Sequence, residues 1–245
     1  MDNNELLSTA APLINEMGPA FYFIPETAAV GKELGLRGME FYVLGRGGSL
    51  GDCDGAAVAA AFGYFKPSML AGIWADASAK VLPRVAGRAH LECCANLGRA
   101  KLASVPNLAA FVAAADKVNN AADPDGLALY AAMRTETLPN DAPGRAMVLI
   151  ALLREFRGSA HLVALRAAGI DSKTAHFIKR PDMFAVFGYG EDEAPTVTDV
   201  HHARMAEAES LTDKIVEPAF AVLTESERSA LVDGLHHVKS ALKAE

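Results

Sequence analysis

Residues 145–178 read RAMVLIALLREFRGSAHLVALRAAGIDSKTAHFI, and this stretch decides the fold class. Its apolar residues recur at the spacing of one helix face. The pattern predicts three consecutive helices, over residues 145–156, 159–168 and 172–178. Glycines separate them, because glycine weakens a helix interior and is common just past a helix end. Repeated short helices with tight turns indicate a helical domain.

The rest of the chain continues this pattern. Helical spacing predicts one long helix over residues 77–103 with a bend at Pro83, and another over residues 198–216 with Pro218 as a kink or break. Strand signals are limited to residues 184–187 and 196–198, which would form one small hairpin. We therefore expect a mainly α, multi-helix protein with at most one small β-hairpin.

One segment is typical of a linker. Residues 138–144, LPNDAPG, combine proline, glycine and polar residues. We expect them to divide the chain into an N-terminal helical half, residues 1–137, and a second helical half, residues 145–245. The two halves form either separate units or one compact body.

Composition limits the classes of partner. The chain has 245 residues and a net charge of −7, which argues against a dominant nucleic-acid surface. Its 3 cysteines are too few for a disulfide scaffold. No basic segment precedes an apolar run at the N-terminus, and no apolar run approaches the roughly 18 residues of a membrane span. We expect a cytoplasmic protein with no membrane partner.

Motifs for metal and cofactor chemistry are weak. The glycines of residues 45–48 do not follow a buried strand, so a flexible loop is favoured over a phosphate cradle. His90 lies one helical turn from Cys93 and Cys94, but a closed zinc site needs four ligands, and core packing is the favoured alternative. We predict no metal and no cofactor.

Polar and aromatic residues nevertheless suggest a binding cleft. His161 or Asp52 would act as a general base, with Glu155 tuning the histidine. Arg37 and Arg46 would clamp an anion, because their separation along the chain places them on one helix face. The remaining expected lining residues are Phe21, Tyr22, Tyr42, Phe62, Tyr64, Phe65, Trp74 and Arg157. Two alternatives stay open: a surface salt-bridge network around Arg37 and Arg46, and local ion pairs around Glu155.

Several motifs carry a family resemblance. They are FIPE at residues 23–26, LGLRG at 34–38, AAAFGYFKP at 59–67, LLREFRGSAHLVAL at 152–165 and AGID at 168–171. Their order resembles that in an uncharacterised, mostly actinobacterial family of helix-turn-helix proteins that are MarR-like and have a winged-helix-like fold. The resemblance implies a winged-helix-like second half.

The region after Ile178 departs from that family. It is aromatic, and the expected wing is Glu191-Asp192-Glu193. A recognition helix needs basic and amide side chains, and acidic residues repel phosphates. We therefore predict against DNA as a partner.

Two hypotheses about function follow. The leading one is a small-molecule-binding protein that could act as an enzyme of specialised metabolism. It would need no cofactor and would displace, eliminate or isomerise a polar substrate by acid/base chemistry. The alternative is a ligand-responsive MarR-like regulator that binds DNA as a homodimer, with Arg166, Lys173, Lys179 and Arg180 as its basic stripe.

Overall fold

The computed structural model describes residues 1–244 and contains helices joined by turns. The helices are α1 Asn3–Met17, α2 Pro25–Glu33, α3 Met39–Gly47, α4 Gly55–Phe62, α5 Pro67–Ser78, α6 Pro83–Lys101, α7 Leu108–Ala121, α8 Ala128–Met133, α9 Ala142–Ala167, α10 Ser172–Lys179, α11 Asp199–Ala221 and α12 Glu225–Lys243. The predicted mainly α fold is confirmed. No strand occurs in residues 1–244, and the predicted hairpin does not form. A short 3-10 helix, Glu191–Glu193, stands where the wing was expected.

Helix α9 is the central element of the fold. The side chain of Asp141 caps its N-terminus by accepting a hydrogen bond from the Gly144 N–H. Residues 146–153 are all buried, so this part of α9 is enclosed by other helices on every side. The predicted break at Gly158 is wrong, because α9 continues to Ala167. One glycine costs a helix only about 1 kcal/mol, and burial of the apolar residues around the helix offsets that cost.

Two prolines affect the helices differently from the sequence prediction. Helix α5 ends at Ser78, and Pro83 begins α6 instead of bending a longer helix, since proline needs no hydrogen-bond partner in the first turn. At Pro218 the predicted break does not occur, because α11 runs through it to Ala221, and the alternative of a kink stays a prediction.

The hydrophobic core crosses the predicted linker. One connected cluster of buried residues extends from Leu6 in α1 to Val238 in α12 and includes the first half of α9. A second, smaller cluster joins the end of α9 to α10 and α11. Helix α9 itself starts inside the segment 138–144. The division into two halves stays a prediction.

Close backbone contacts hold α3 and α6 together. Gly48 follows α3, and a β-carbon added to it would lie 2.7 Å from the Cα of Gly87 in α6. Such a distance is too short for carbon atoms, so this approach requires glycine. Within residues 1–244, none of the helices has the length and apolar character needed to cross a bilayer.

Candidate functional site

A cleft of about 290 Å³ opens between α3, α4, α9, α10 and α11. Its volume is at the lower end of the range typical of small-molecule sites. We call it the central cleft and define it by its lining residues, which are Asn15, Tyr42, Arg46, Ala61, Phe62, Tyr64, Phe65, Arg154, Glu155, Arg157, Gly158, Ser159, His161, Leu162, Ala175, His176, Lys179, Arg180, Phe187 and Met205.

A buried carboxylate organises one end of the central cleft. Arg46 donates to Glu155 from Nε at 2.9 Å and from Nη2 at 2.8 Å, in the bidentate geometry favoured by guanidinium and carboxylate groups. Arg154 Nη1 adds a third bond at 2.6 Å and the Tyr22 hydroxyl a fourth at 3.2 Å. The Glu155 side chain is only 1% exposed. These four residues form the Glu155 cluster.

The charges of this cluster fix the protonation of Glu155. Burial raises the pKa of a carboxyl group, but the guanidinium groups of Arg46 and Arg154 outweigh burial and lower the pKa of Glu155 to about 2. The carboxylate is therefore ionised at neutral pH. Its oxygens already accept hydrogen bonds from Arg46, Arg154 and Tyr22, so it has little capacity left to take a substrate proton. This geometry favours a positioning role, and the predicted catalytic role stays untested.

Most other cations in the cleft are matched by carboxylates. Arg157 contacts Glu209 at 2.9 Å and Asp213 at 3.2 Å, and Lys179 pairs with the same Glu209. Arg180 pairs with Asp182, which completes this set. Among the described residues that line the cleft, two guanidinium groups face one carboxylate only in the Glu155 cluster. That end of the cleft therefore carries one uncompensated positive charge.

His161 lies beside these ion pairs as a neutral ring. The Thr212 hydroxyl donates to the Ala208 carbonyl at 2.6 Å, so its oxygen accepts a hydrogen bond from His161 Nδ1 at 2.8 Å. This arrangement leaves His161 Nε2 without a proton. Burial lowers the pKa of His161 to about 4, even though the Glu209 carboxylate favours its charged form. At neutral pH the ring is a weak base.

An aromatic stack forms the opposite wall. The ring of Phe187 lies 4.1 Å from Phe65 and 3.9 Å from His176, measured between ring centres, with small angles between the planes. The guanidinium of Arg46 lies 4.4 Å from the centre of the Phe62 ring, a cation–π contact. The cleft thus combines cationic groups with aromatic rings whose faces are covered, Phe187 by Phe65 and His176 and Phe62 by Arg46.

The structure brings together many of the residues predicted for the site. Eight of them line the central cleft, namely Tyr42, Arg46, Phe62, Tyr64, Phe65, Glu155, Arg157 and His161. Tyr22 lies behind the lining and reaches the site through its hydrogen bond to Glu155.

The remaining predicted residues lie elsewhere. Arg37 precedes α3, which begins at Met39, so it does not share a helix face with Arg46. Asp52 is an exposed residue of the loop before α4. The Trp74 indole N–H donates to the Cys53 carbonyl within the core, and Phe21 is buried against His90. Placing these four in the cleft was wrong, because helix boundaries and core packing direct their side chains away from it.

Sequence reasoning gave no binding role to Arg154 and His176, and it assigned Lys179 to the DNA-binding stripe instead of the cleft. One signal was available. Arg154, Arg157 and His161 follow helical spacing, which places them on one face of a continuous helix. Because a helix break was predicted at Gly158, these residues were not assigned to one helix face.

Comparison with known proteins decides the family. The sequence profile of a family described as a helix-turn-helix family matches residues 8–191, which is most of the chain. The chain belongs to this helix-turn-helix family. No curated protein and no solved structure matches this helix-turn-helix protein. Within residues 1–244, no group of three or more His, Cys, Asp or Glu side chains is arranged to hold a metal ion.

Proposed function

We propose that this helix-turn-helix protein is a ligand-responsive regulator that binds DNA, with the central cleft as its ligand site. One observation carries the proposal: α10, the second helix of a helix-turn-helix unit, also supplies Ala175, His176 and Lys179 to the wall of the cleft. A ligand in the cleft would contact the helix that meets DNA.

The unit formed by α9 and α10 has the features of a helix-turn-helix. Its turn is residues 168–171, and Gly169 adopts a φ of 73°, a conformation that glycine tolerates. Asp171 then caps α10 by accepting from the Thr174 N–H at 2.8 Å. Turns of three or four residues that contain glycine are typical of this motif.

A second helix pair, α4 and α5, is joined by an equally short turn, residues 63–66. Charge favours α10 as the DNA-reading helix. Helix α5 contains no Lys or Arg and carries Asp76, whereas α10 contains Lys173 and Lys179. Arg166, in the last turn of α9, adds an exposed cation near the turn. Lys173 and Arg166 are suited to phosphate contacts, whereas Lys179 is paired with Glu209 at the cleft.

The acidic 3-10 helix, residues 191–193, does not exclude this role. Glu193 forms an ion pair with Lys66 at 2.8 Å, so part of its charge is balanced within the protein. The backbone carbonyl of Glu193 accepts a hydrogen bond from Lys173 at 3.1 Å. The family membership therefore outweighs the sequence-based prediction against DNA, although the basic surface is small.

The direct test is fluorescence anisotropy on labelled DNA fragments taken from both sides of the coding gene. Binding should weaken steeply with salt, and Arg166→Ala and Lys173→Ala should each reduce the slope of log K against log salt by about 1. Lys32→Ala, an exposed cation on α2, is the matched control and should leave the slope unchanged. Absence of binding to every fragment at low salt would contradict the proposal.

A cofactor-independent enzyme of specialised metabolism is the second candidate. The observation behind it is the unprotonated Nε2 of His161 at the cleft, which as a weak base would accept a proton from an acidic group of a polar substrate. Untargeted comparison of a cell extract treated with wild-type protein or with His161→Gln would detect a compound consumed by the wild type alone. If no compound differs between the two treatments, the enzyme hypothesis fails.

The proposed regulator would be a homodimer, and α11 would form the interface between the two copies. Ile215 and Val222 are exposed apolar residues separated by two helical turns, so they lie on the same side of the helix. Light scattering coupled to gel filtration would measure the oligomeric state. MarR-likeness stays part of this proposal.

A further inference from the structure

One carboxylate of α11 contacts both helices of the helix-turn-helix unit. Glu209 pairs with Lys179, the last residue of α10, and lies 2.9 Å from Arg157 of α9. Burial raises the pKa of a carboxyl group, but the hydrogen bonds from Lys179 and Arg157 outweigh burial and lower the pKa of Glu209 to about 2. His161 Nε2 lies 3.9 Å from Glu209 Oε1, carries no proton and adds no hydrogen bond. Glu209 is therefore ionised at neutral pH, and both of its contacts are charge-assisted.

The two cations depend on Glu209 to different degrees. Arg157 also donates to Asp213, one turn further along α11, at 3.2 Å. Lys179 has no other ion pair or side-chain hydrogen bond within residues 1–244. Loss of the Glu209 charge would leave Arg157 with a counter-ion and Lys179 without one. Glu209 therefore matters more for the attachment of α10 than for that of α9.

Few other contacts join α10 to the helices that flank it. Ala175 belongs to the small apolar cluster shared with α9 and α11, and Ile178 packs against that cluster. Among the described residues, the pair of Lys179 with Glu209 is the only side-chain hydrogen bond or ion pair between α10 and either α9 or α11. A single polar contact thus supplements a small apolar one.

The two ends of α10 are attached to different parts of the fold. At the N-terminal end, the Tyr64 N–H, in the turn between α4 and α5, donates to Ser172 Oγ at 3.2 Å. At the C-terminal end, Lys179 reaches α11. A helix held at one end only can pivot about that end, so the pair with Glu209 restricts the orientation of α10. A DNA-reading helix needs a fixed orientation, because its contacts with base edges are hydrogen bonds of defined length and angle.

We propose that Glu209 is a positioning residue for DNA binding, which acts through Lys179 to hold α10 in the orientation that reads base edges. Glu209 itself touches no DNA, and Lys179 pairs within the protein instead of with a phosphate. This inference rests on the proposed DNA-binding function and names a residue that controls it. The sign of the effect distinguishes positioning from electrostatics, because removal of a carboxylate would otherwise strengthen the attraction of phosphates.

Fluorescence anisotropy with two duplexes tests the inference. One is the fragment flanking the coding gene that the wild type binds most tightly, and the other has the same length and composition in shuffled order. Glu209→Gln should bind the fragment about threefold to fivefold more weakly, the effect of a partly exposed ion pair, and the shuffled duplex no more weakly than the wild type does. Glu207→Gln, which removes an exposed carboxylate of α11 with no ion pair in the described chain, is the matched control and should weaken neither.

Lys179→Met is the second variant, and it leaves Glu209 paired with Arg157 if Glu209→Gln fails to fold. It should weaken fragment binding as much as Glu209→Gln does, and the double variant should be no weaker than either single variant. Its slope of log K against log salt should match the wild type, because a lost phosphate contact would reduce that slope by about 1.

Hydrogen exchange followed by mass spectrometry gives a readout without DNA. Peptides covering residues 172–179 should exchange at least about threefold faster in each variant, while residues 145–156 keep the wild-type rate. Unchanged exchange in α10, equal or tighter fragment binding by folded Glu209→Gln, or additive losses in the double variant would each overturn the inference alone. Absence of DNA binding by the wild type would contradict the regulator and, with it, the positioning role.

Discussion

Replacing Glu155 with glutamine tests whether the Glu155 cluster stabilises the fold. Glutamine has the shape of glutamate but no charge, so Arg46 and Arg154 would lose their shared counter-ion. The Arg46 side chain is 10% exposed and that of Arg154 is 23% exposed. Water would therefore stabilise the unpaired charge of Arg154 better than that of Arg46. Breaking a buried pair typically costs about 3–5 kcal/mol. Because Arg154 is partly hydrated, we expect a loss at the lower end of that range, about 3 kcal/mol in the free energy of unfolding.

Urea denaturation followed by circular dichroism measures this loss. The midpoint should fall while the dependence of the unfolding free energy on urea stays constant, since the exposed surface does not change. Asp182→Asn, which removes the carboxylate of the exposed pair with Arg180, is the control and should leave the midpoint unchanged. The double variant Arg46→Met with Glu155→Leu should be more stable than Glu155→Gln, because it removes a buried charge together with its partner. A loss below about 1 kcal/mol for Glu155→Gln would refute the argument that these charges are buried and coupled.

Three further predictions concern stability. The folded state holds His161 neutral down to about pH 4, whereas the unfolded chain protonates it near pH 6.5, the ordinary pKa of histidine. Stability should therefore fall as the pH drops from 6.5 towards 4, by up to about 3 kcal/mol from this residue, and His161→Gln should flatten that part of the urea-midpoint profile. Gly48→Ala should lower the melting temperature markedly because of the contact with α6, whereas Gly72→Ala, exposed in α5 with open space around it, should add roughly 0.5–1 kcal/mol. Asp171→Ala should cost about 1 kcal/mol through loss of the α10 cap, measured by urea denaturation, and an unchanged midpoint would contradict the cap assignment.

The sequence predicted the helical class because apolar spacing reports directly which side of a helix is buried. Helix boundaries were less predictable where glycine and proline occur. Gly158 lies inside α9 and Pro218 inside α11, since burial of the surrounding helix outweighs the local preference of one residue. Pro83 begins a helix because its position in the first turn costs no hydrogen bond.

The candidate site also contains residues that the sequence predicted and residues that it misplaced. Glu155, Arg157 and His161 were found because charged residues and a histidine are close together in the sequence, so their proximity does not depend on where the helices break. Arg37 and Asp52 were misplaced because their position depends on where α3 starts and on a loop, which local patterns do not specify. The contact between Arg46 and Glu155 joins residues distant in sequence, so only the three-dimensional arrangement of α3 and α9 reveals it.

In the proposed regulator, helix α10 both meets DNA and forms a wall of the central cleft. When one ligand changes the affinity of a protein for another, the linkage is reciprocal. If an occupant of the cleft changes the affinity for DNA by some factor, DNA must change the affinity for that occupant by the same factor. The strength of regulation could therefore be measured from either side, for example by titrating the cleft in the presence and absence of a bound duplex.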